Sequence, residues 1–305
     1  MEDNIKIMQT FTLDTIPDLD VCVLAALELF SKETIPNIKI PYKRPLIVGS
    51  GNAAASGKII FEKKDAIFAD ESNVDIKLKN IKASDGVVLI SAFGGKHAPI
   101  IAKIAKKYDK HVTLITNNPT AQAAQYSDMT YFFPKNREPY TYNTSTYMGM
   151  ILGQTKENPQ KIIQFIQTKI DKMKLPDFSK YDKFFLIIPE EFEGIIRLLN
   201  VKFIELFGRR VARDIETFEY MKHAVTVIPS NELFISFGKD YTDFGENHLT
   251  IPLPKKAGYA TMMAIGYYLI GKIQKSHHAW FKENIDAYTT KVSNIFKSTI
   301  KPIVE

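Results

Sequence analysis

The strongest constraint on the fold is an alternation. Between Arg44 and Pro134, five short β-rich runs are separated by segments of helical character: "PLIVGS", "DAIFAD", "DGVVLIS", "HVTLIT" and "MTYFF". One intervening segment, "APIIAKIAKKYDK", puts apolar residues at i, i+3, i+4 and i+7 and lysines on the opposite face. Strand, helix, strand at this spacing builds βαβ units, and these build a parallel sheet covered on both sides. The unbroken run "GVVLI" suits a central strand buried on both faces. The alternation pauses at a polar stretch, "PKNREPYTYNTSTYMGM". A helical segment to about Lys174 and a linker-like "LPDFSKYD" follow. It then restarts with "KFFLIIP", "FEGIIRLLNVKFIELFG", "RRVARDIETFEYMKH", "ELFISFG" and "LTIPLP". The expected fold class is α/β with two tandem domains: an N-terminal helical segment over 1–40, a first domain with its closing helix over 41–174, and a second domain with a helical tail over 175–305.

Bulk properties narrow the function. Hydrophobic residues make up 45% of the 305 and charged residues 24%, a globular composition and not a disordered one. The apolar run Tyr259–Gly271 falls short of the roughly 20 residues that cross a bilayer, so it reads as a buried helix. The N-terminus is acidic at once and lacks an apolar signal core, which predicts a cytoplasmic protein with no membrane partner. The single cysteine, Cys22, excludes an internal disulfide and lies in the helical pattern "LDVCVLAALELF", where a packed thiol is expected. The formal charge is +6, but the lysines are dispersed, which favours small anions and gives no nucleic-acid footprint. No His, Cys or carboxylate cluster has metal-ligand spacing, so neither a metal nor another cofactor is expected. His277 and His278 are adjacent and are read as surface residues.

Chemistry-bearing residues gather at strand ends. After "PLIV" comes Gly49-Ser50-Gly51-Asn52, and after "GVVLI" comes Ser91-Ala92-Phe93-Gly94-Gly95-Lys96, each leading into a helix. A third end, "LITNNPT", adds Thr116 and Asn117. Glycine removes the Cβ that blocks approach to backbone, and the first N–H groups of a helix attract negative charge. Any one loop is also what an ordinary strand-to-helix turn requires. Three such ends in one parallel sheet point to an anion site at its carboxyl edge. The equivalent position in the second half is Glu190-Glu191, which repels a phosphate.

These motifs resemble the sugar isomerase (SIS) family of phosphosugar-binding domains. Its first loop reads like G-x-G-x-S, here Gly49-Ser50-Gly51-Asn52-Ala53. Its second reads like S-x-S-G-x-T, here with Phe93 for a Ser and Lys96 for the Thr. "EPYTYNTSTYMGM" is similar to the family segment E-x-x-x-A-S-T-K-x-[YF]-T and puts Asn143, Thr144 and Tyr147 on its S, T and aromatic positions. Ser145 stands where the family has Lys, and Glu138 sits two residues upstream of the family Glu. "NVKFIELF" resembles "ALKLKEI", which places Glu205 on the family's isomerisation base. "FEYMKHA" resembles "ELKHG", which places His223 on the ring-opening histidine. Without the resemblance, Glu205 reads equally as an exposed helix carboxylate and His223 as a helix-end histidine.

The resemblance implies two tandem flavodoxin-like, three-layer αβα SIS domains with central parallel sheets. It also implies a homodimer and a phosphosugar ligand held by Gly49, Ser50, Gly51, Asn52, Ser91, Gly94, Gly95, Lys96, Thr116, Asn143 and Thr144. The implied activity is aldose–ketose isomerisation of a hexose or amino-hexose 6-phosphate through an enediol, with Glu205, His223 and Glu138 as catalytic candidates. Amino-sugar-phosphate deamination, fructosamine-phosphate deglycation and phosphosugar binding without catalysis stay open. Glu2 follows the initiator Met where glutamine-dependent relatives expose a cysteine, so ammonia transfer is not expected. The helical C-terminus departs from the family's short catalytic tail, and Lys301 is one residue out of register with it.

Overall fold

A computed structural model describes residues 3–224, 230–241 and 245–305. The chain divides into two compact units, one of Glu33–Lys135 with Thr146–Lys156, the other of Met1–Lys32, Asn136–Ser145 and Glu157–Glu305.

The chain begins with helices α1 (Asn4–Thr10) and α2 (Leu19–Lys32). The first sheet unit then runs β1 (Pro45–Val48), α3 (Asn52–Ile60), β2 (Ile67–Ala69), α4 (Val74–Asn80), β3 (Gly86–Ile90), α5 (His97–Lys107), β4 (Val112–Thr116) and β5 (Met129–Phe132). All five anticipated strands form, in the order β2-β1-β3-β4-β5, and every pairing is parallel. Their side chains explain this. Leu46, Val48, Val87, Leu89, Val112 and Leu114 make one continuous apolar face, closed by Val74 and Leu78 of α4 and by Ile101, Ala102 and Ala105 of α5. At about 1.5–3 kcal/mol for each large aliphatic side chain buried, this face is the main driving force of the unit.

A short strand, β6 (Glu138–Pro139), leads into α6 (Thr144–Thr155), and α7 (Pro159–Phe165) follows. The second sheet unit continues with β7 (Lys183–Ile188), α8 (Ile196–Phe207), β8 (Ala212–Thr217), α9 (Phe218–Ala224), β9 (Glu232–Phe237) and β10 (Asn247–Ile251). Its sheet, ordered β10-β9-β7-β8, is again parallel. Three final elements complete it: α10 (Tyr259–Ser276), α11 (Trp280–Phe296) and β11 (Ile303–Val304). The apolar run read as a buried helix lies in α10, where Tyr259–Gly271 are all buried. No helix among the described residues is long and apolar enough to cross a membrane. At Gly271 an added Cβ would come within 2.1 Å of the Asp20 backbone nitrogen, and at Gly266 within 2.7 Å of Leu199. Glycine therefore lets α10 press against both α2 and α8.

The N-terminal helices pack inside this second unit, because α2 buries Leu19, Val23, Leu27 and Phe30 along one side. Cys22 is fully buried, and burial pushes its thiol well up. The linker-like stretch is anchored by Phe178, buried 6.4 Å from Phe184. His277 departs from its surface expectation: its ring stands edge-on to Phe184 and Phe207, at 6.0 and 5.8 Å.

Candidate functional site

In the first sheet the strand order reverses between β1 and β3, where a doubly wound sheet leaves its ligand crevice. The loops that follow those two strands are Gly49–Asn52 and Ser91–Lys96. Gly49 is required by space, since a Cβ there would lie 2.7 Å from backbone atoms of Ala53 and Ala54. Gly51, before the first residue of α3, has φ 56° and ψ −119°. Lys96, before the first residue of α5, has nearly the same conformation, φ 51° and ψ −111°. Glycine adopts that region freely and a lysine does so under strain. Both helices thus begin with the same turn, and one turn carries an exposed cation. Burial lowers the Lys96 ammonium from its ordinary value.

Other predicted residues buttress this cradle. Ser91 Oγ accepts from Gly94 N at 3.2 Å. Gly94 has φ 61°, and a Cβ on it would meet that of Ala121 at 2.3 Å. Thr116 is fully buried, and its hydroxyl donates to the Ala92 carbonyl at 3.0 Å and accepts from Asn118 N at 3.2 Å. Asn117 donates to the Phe133 carbonyl. Ser50 and Asn52 are half-buried, and Gly95 has open space where a Cβ would go. Phe93 is 46% exposed, and the Lys135 ammonium lies 5.7 Å from its ring centre. Sequence reasoning missed Lys135. The signal was a lysine just past the end of β5, one more strand end on the same edge.

The second sheet unit gathers the carboxylates. The apolar stripe of α8 is Leu198, Leu199, Phe203, Leu206 and Phe207, and a lysine, Lys202, sits in the middle of it, fully buried. Its ammonium donates to Glu205 Oε2 at 2.6 Å, one turn further along. It also donates to the Thr141 carbonyl and lies 5.6 Å from the centre of the Tyr267 ring. Glu205 has 17% of its side chain exposed. Burial raises its carboxyl above the ordinary value, outweighing the opposite pull of Lys202 and Arg197. The field of Glu205 in turn helps push the Tyr140 hydroxyl up and Tyr288 up to about 12, with burial the larger cause in both. Lys202 was missed, although a lysine on a buried helical stripe, three residues from a carboxylate, was visible in the sequence.

The loop that meets Lys202 is itself strained. Thr141, a β-branched residue, has φ 79°, and Asn143 has φ 47°. Asn143 Nδ2 donates to the Thr141 carbonyl at 3.2 Å. Glu138 is buried, its two oxygens accepting from Thr144 N at 2.9 Å and Ser145 N at 2.7 Å, across the start of α6. Thr144 and Ser145 are fully buried, and Ser145 Oγ accepts from Asn136 N at 2.9 Å. The C-terminal strand β11 pairs antiparallel with β6, Val304 opposite Glu138, and Tyr140 N donates to the Pro302 carbonyl at 2.7 Å. Lys301 precedes that strand and is exposed. His223 is exposed in the last turn of α9. Among the described residues no group of three potential ligands could hold a metal ion.

The sequence matches no protein family model. It also matches no curated protein. Solved structures do match its fold. A glucosamine-6-phosphate deaminase from Thermotoga maritima superposes with a TM-score of 0.58 at 15% identity, over 90% of this chain and 94% of that one. A tagatose-6-phosphate ketose/aldose isomerase from Escherichia coli gives 0.57 at 13%, over 90% and 91%. The C-terminal domain of a glucosamine-fructose-6-phosphate aminotransferase from Francisella tularensis gives 0.55 at 12%, over 93% and 97%. Over most of its length the chain therefore has the fold of the sugar isomerase (SIS) phosphosugar proteins, with two parallel-sheet α/β units in one polypeptide.

Proposed function

We propose that the protein is an aldose–ketose isomerase of a hexose or amino-hexose 6-phosphate, working as a homodimer in the cytoplasm. The observation that carries the reading is the buried Lys202–Glu205 pair. A largely buried carboxylate with a raised pKa is a competent base at neutral pH, and the fixed ammonium beside it holds it in one orientation. For an open-chain aldose, the Glu205 carboxylate takes the C2 proton while the C1–C2 double bond forms and the C1 oxygen gains a proton. The resulting enediol then loses the O2 proton, and Glu205 returns its proton to C1, leaving a ketone at C2. Lys202, fully buried, keeps Glu205 oriented and favours its ionised form.

The substrate phosphate is assigned to Ser50, Gly51, Asn52, Ser91 and Lys96, with Gly49, Gly94, Gly95 and Thr116 shaping the turns. Glu138, Asn143 and Thr144 position the loop whose Thr141 carbonyl holds Lys202. His223, exposed on α9, is assigned to ring opening in the partner copy's site, an imidazole being suited to move protons near neutrality. The solved relatives support the class of substrate, since all three are named for sugar 6-phosphates.

The test is proton NMR in D2O with fructose 6-phosphate, glucose 6-phosphate and glucosamine 6-phosphate in turn. Deuterium entering C1 or C2, and absent with Glu205→Gln, supports the reading. Ammonia released from glucosamine 6-phosphate would make the protein a deaminase using the same base. One observation favours a second reading, binding without turnover: Ser145, where the family has Lys, is buried and engaged with Asn136 and Glu138. Saturable binding of a phosphosugar without any exchange would select it.

A further inference from the structure

The two sheets share a strand order: β8-β7-β9-β10 repeats β2-β1-β3-β4. The second sheet therefore has its own reversal, between β7 and β9, and a cleft of about 340 Å3 opens there, lined by the turns after β7, β9 and β10. That volume falls in the range of small-molecule sites, about 300–1,000 Å3. Neither the phosphate cradle nor the Glu205 cluster uses it.

Its charges are sorted by strand. Glu190 and Glu191 follow β7, whereas Lys239 follows β9 and Lys255 follows β10. Among the described residues none of these four pairs with another. Glu190 instead accepts from Glu219 N at 3.3 Å, and the Lys239 ammonium lies 5.1 Å from the centre of the Tyr241 ring. Tyr241 stacks on Phe218, centres 4.1 Å apart. The walls also include the buried Phe192. A phosphate is poorly served here. The turn after β7 opens on two carboxylates, and Glu157 already accepts from Gly258 N, Ala260 N and Thr261 N at the start of α10, between 2.8 and 3.0 Å. A ligand with charge of both signs and an apolar body matches all three features.

We propose that this cleft binds a free amino acid with an apolar side chain. Its ammonium faces Glu190 and Glu191, its carboxylate faces Lys239 and Lys255, and its side chain lies against Phe192 and Tyr241.

Titration calorimetry of the full chain tests this with L-phenylalanine, phenethylamine, which lacks the carboxylate, and 3-phenylpropionate, which lacks the ammonium. L-phenylalanine is expected to bind saturably, and each half-ligand about tenfold more weakly or worse, as befits the loss of one charged hydrogen bond. Glu191→Gln and Lys255→Ala, both at exposed positions, should each weaken L-phenylalanine by a similar factor while leaving phosphosugar affinity unchanged. No saturable L-phenylalanine binding, equal binding of either half-ligand, or variants that bind as the parent does would overturn the proposal. Because phosphosugar binding is measured on the same samples, failure here is separable from failure of the isomerase reading.

Discussion

Lys96 and Gly51 hold almost the same backbone conformation, and only one of them is a glycine. A non-glycine residue in that region costs about 1–3 kcal/mol. Part of that is regained in the unfolded chain, which glycine makes more flexible. Lys96→Gly should therefore raise stability in urea by about 1 kcal/mol and, on the proposed phosphate-binding role of its ammonium, raise the KM of the phosphosugar. A variant that gains no stability, or whose KM stays put, denies Lys96 that role. Glu205 makes an opposite trade. Burial holds its folded pKa above the ordinary 4.5, so the ionised side chain costs stability, a cost that appears as pH rises through this window. The acidic limb of the kcat profile should accordingly lie above that of an ordinary carboxylate. Glu205→Gln should lower kcat by about 10²–10⁴-fold. Lys202 pulls the Glu205 pKa down, so Lys202→Met should move the acidic limb further up, a shift that a merely structural lysine would not produce. The sequence exposed Glu205 through its motif and hid Lys202, because a buried cation reads as one more helical lysine until its stripe is drawn.

At the scale of elements, two contacts join distant parts of the chain. Strand β11 fixes β6, which carries Glu138 and runs on to Tyr140 and Thr141. Deleting residues 302–305 removes one backbone pairing and the Arg137–Glu305 ion pair, so the melting temperature should fall by only about 2–4 °C. Activity should fall about tenfold or more, since the loop that holds Lys202 loses its brace. A deletion that costs stability and activity in proportion would remove that distinction. His277, just past the end of α10, has its imidazole held below the ordinary 6.5 by burial, with Asp182 opposing the shift only in part. A depressed folded pKa means the unfolded chain binds more protons, so this stability is present above 6.5 and is lost as pH falls. The melting temperature should drop between about pH 7 and 5 more steeply in the parent than in His277→Leu. The strands of the first sheet, and β7 and β9 of the second, were legible because each is a short apolar run closed by a turn. Strand β8, Ala212–Thr217, is instead largely polar and lay hidden in an undivided segment. The β6–β11 pairing was not legible either, since strands of two residues have no period, and the packing of His277 depends on Phe184 and Phe207, far from it in sequence.

For the whole molecule, the open matter is how many copies of the chain build one site. Glu205 is largely buried on α8, whereas His223 is exposed at the end of α9. A closed twofold dimer presents the same patch on both copies, so a residue lent to the partner is also received from it. If catalysis needs Glu205 of one copy and His223 of the other, then Glu205→Gln and His223→Asn are each inactive alone. Mixed, unfolded together and refolded, they form hybrid dimers in which one site carries both lesions and the other carries neither. Random pairing puts half of the dimers in that class, so the mixture should recover about a quarter of the parent activity. Two sites built wholly within single chains would recover none, because every site would retain one of the two lesions. Sedimentation of the same mixture separates this outcome from a failure to associate. A monomer with parent-level activity removes the shared-site reading and leaves Glu205 and Lys202 to act with a ring-opening group of their own chain.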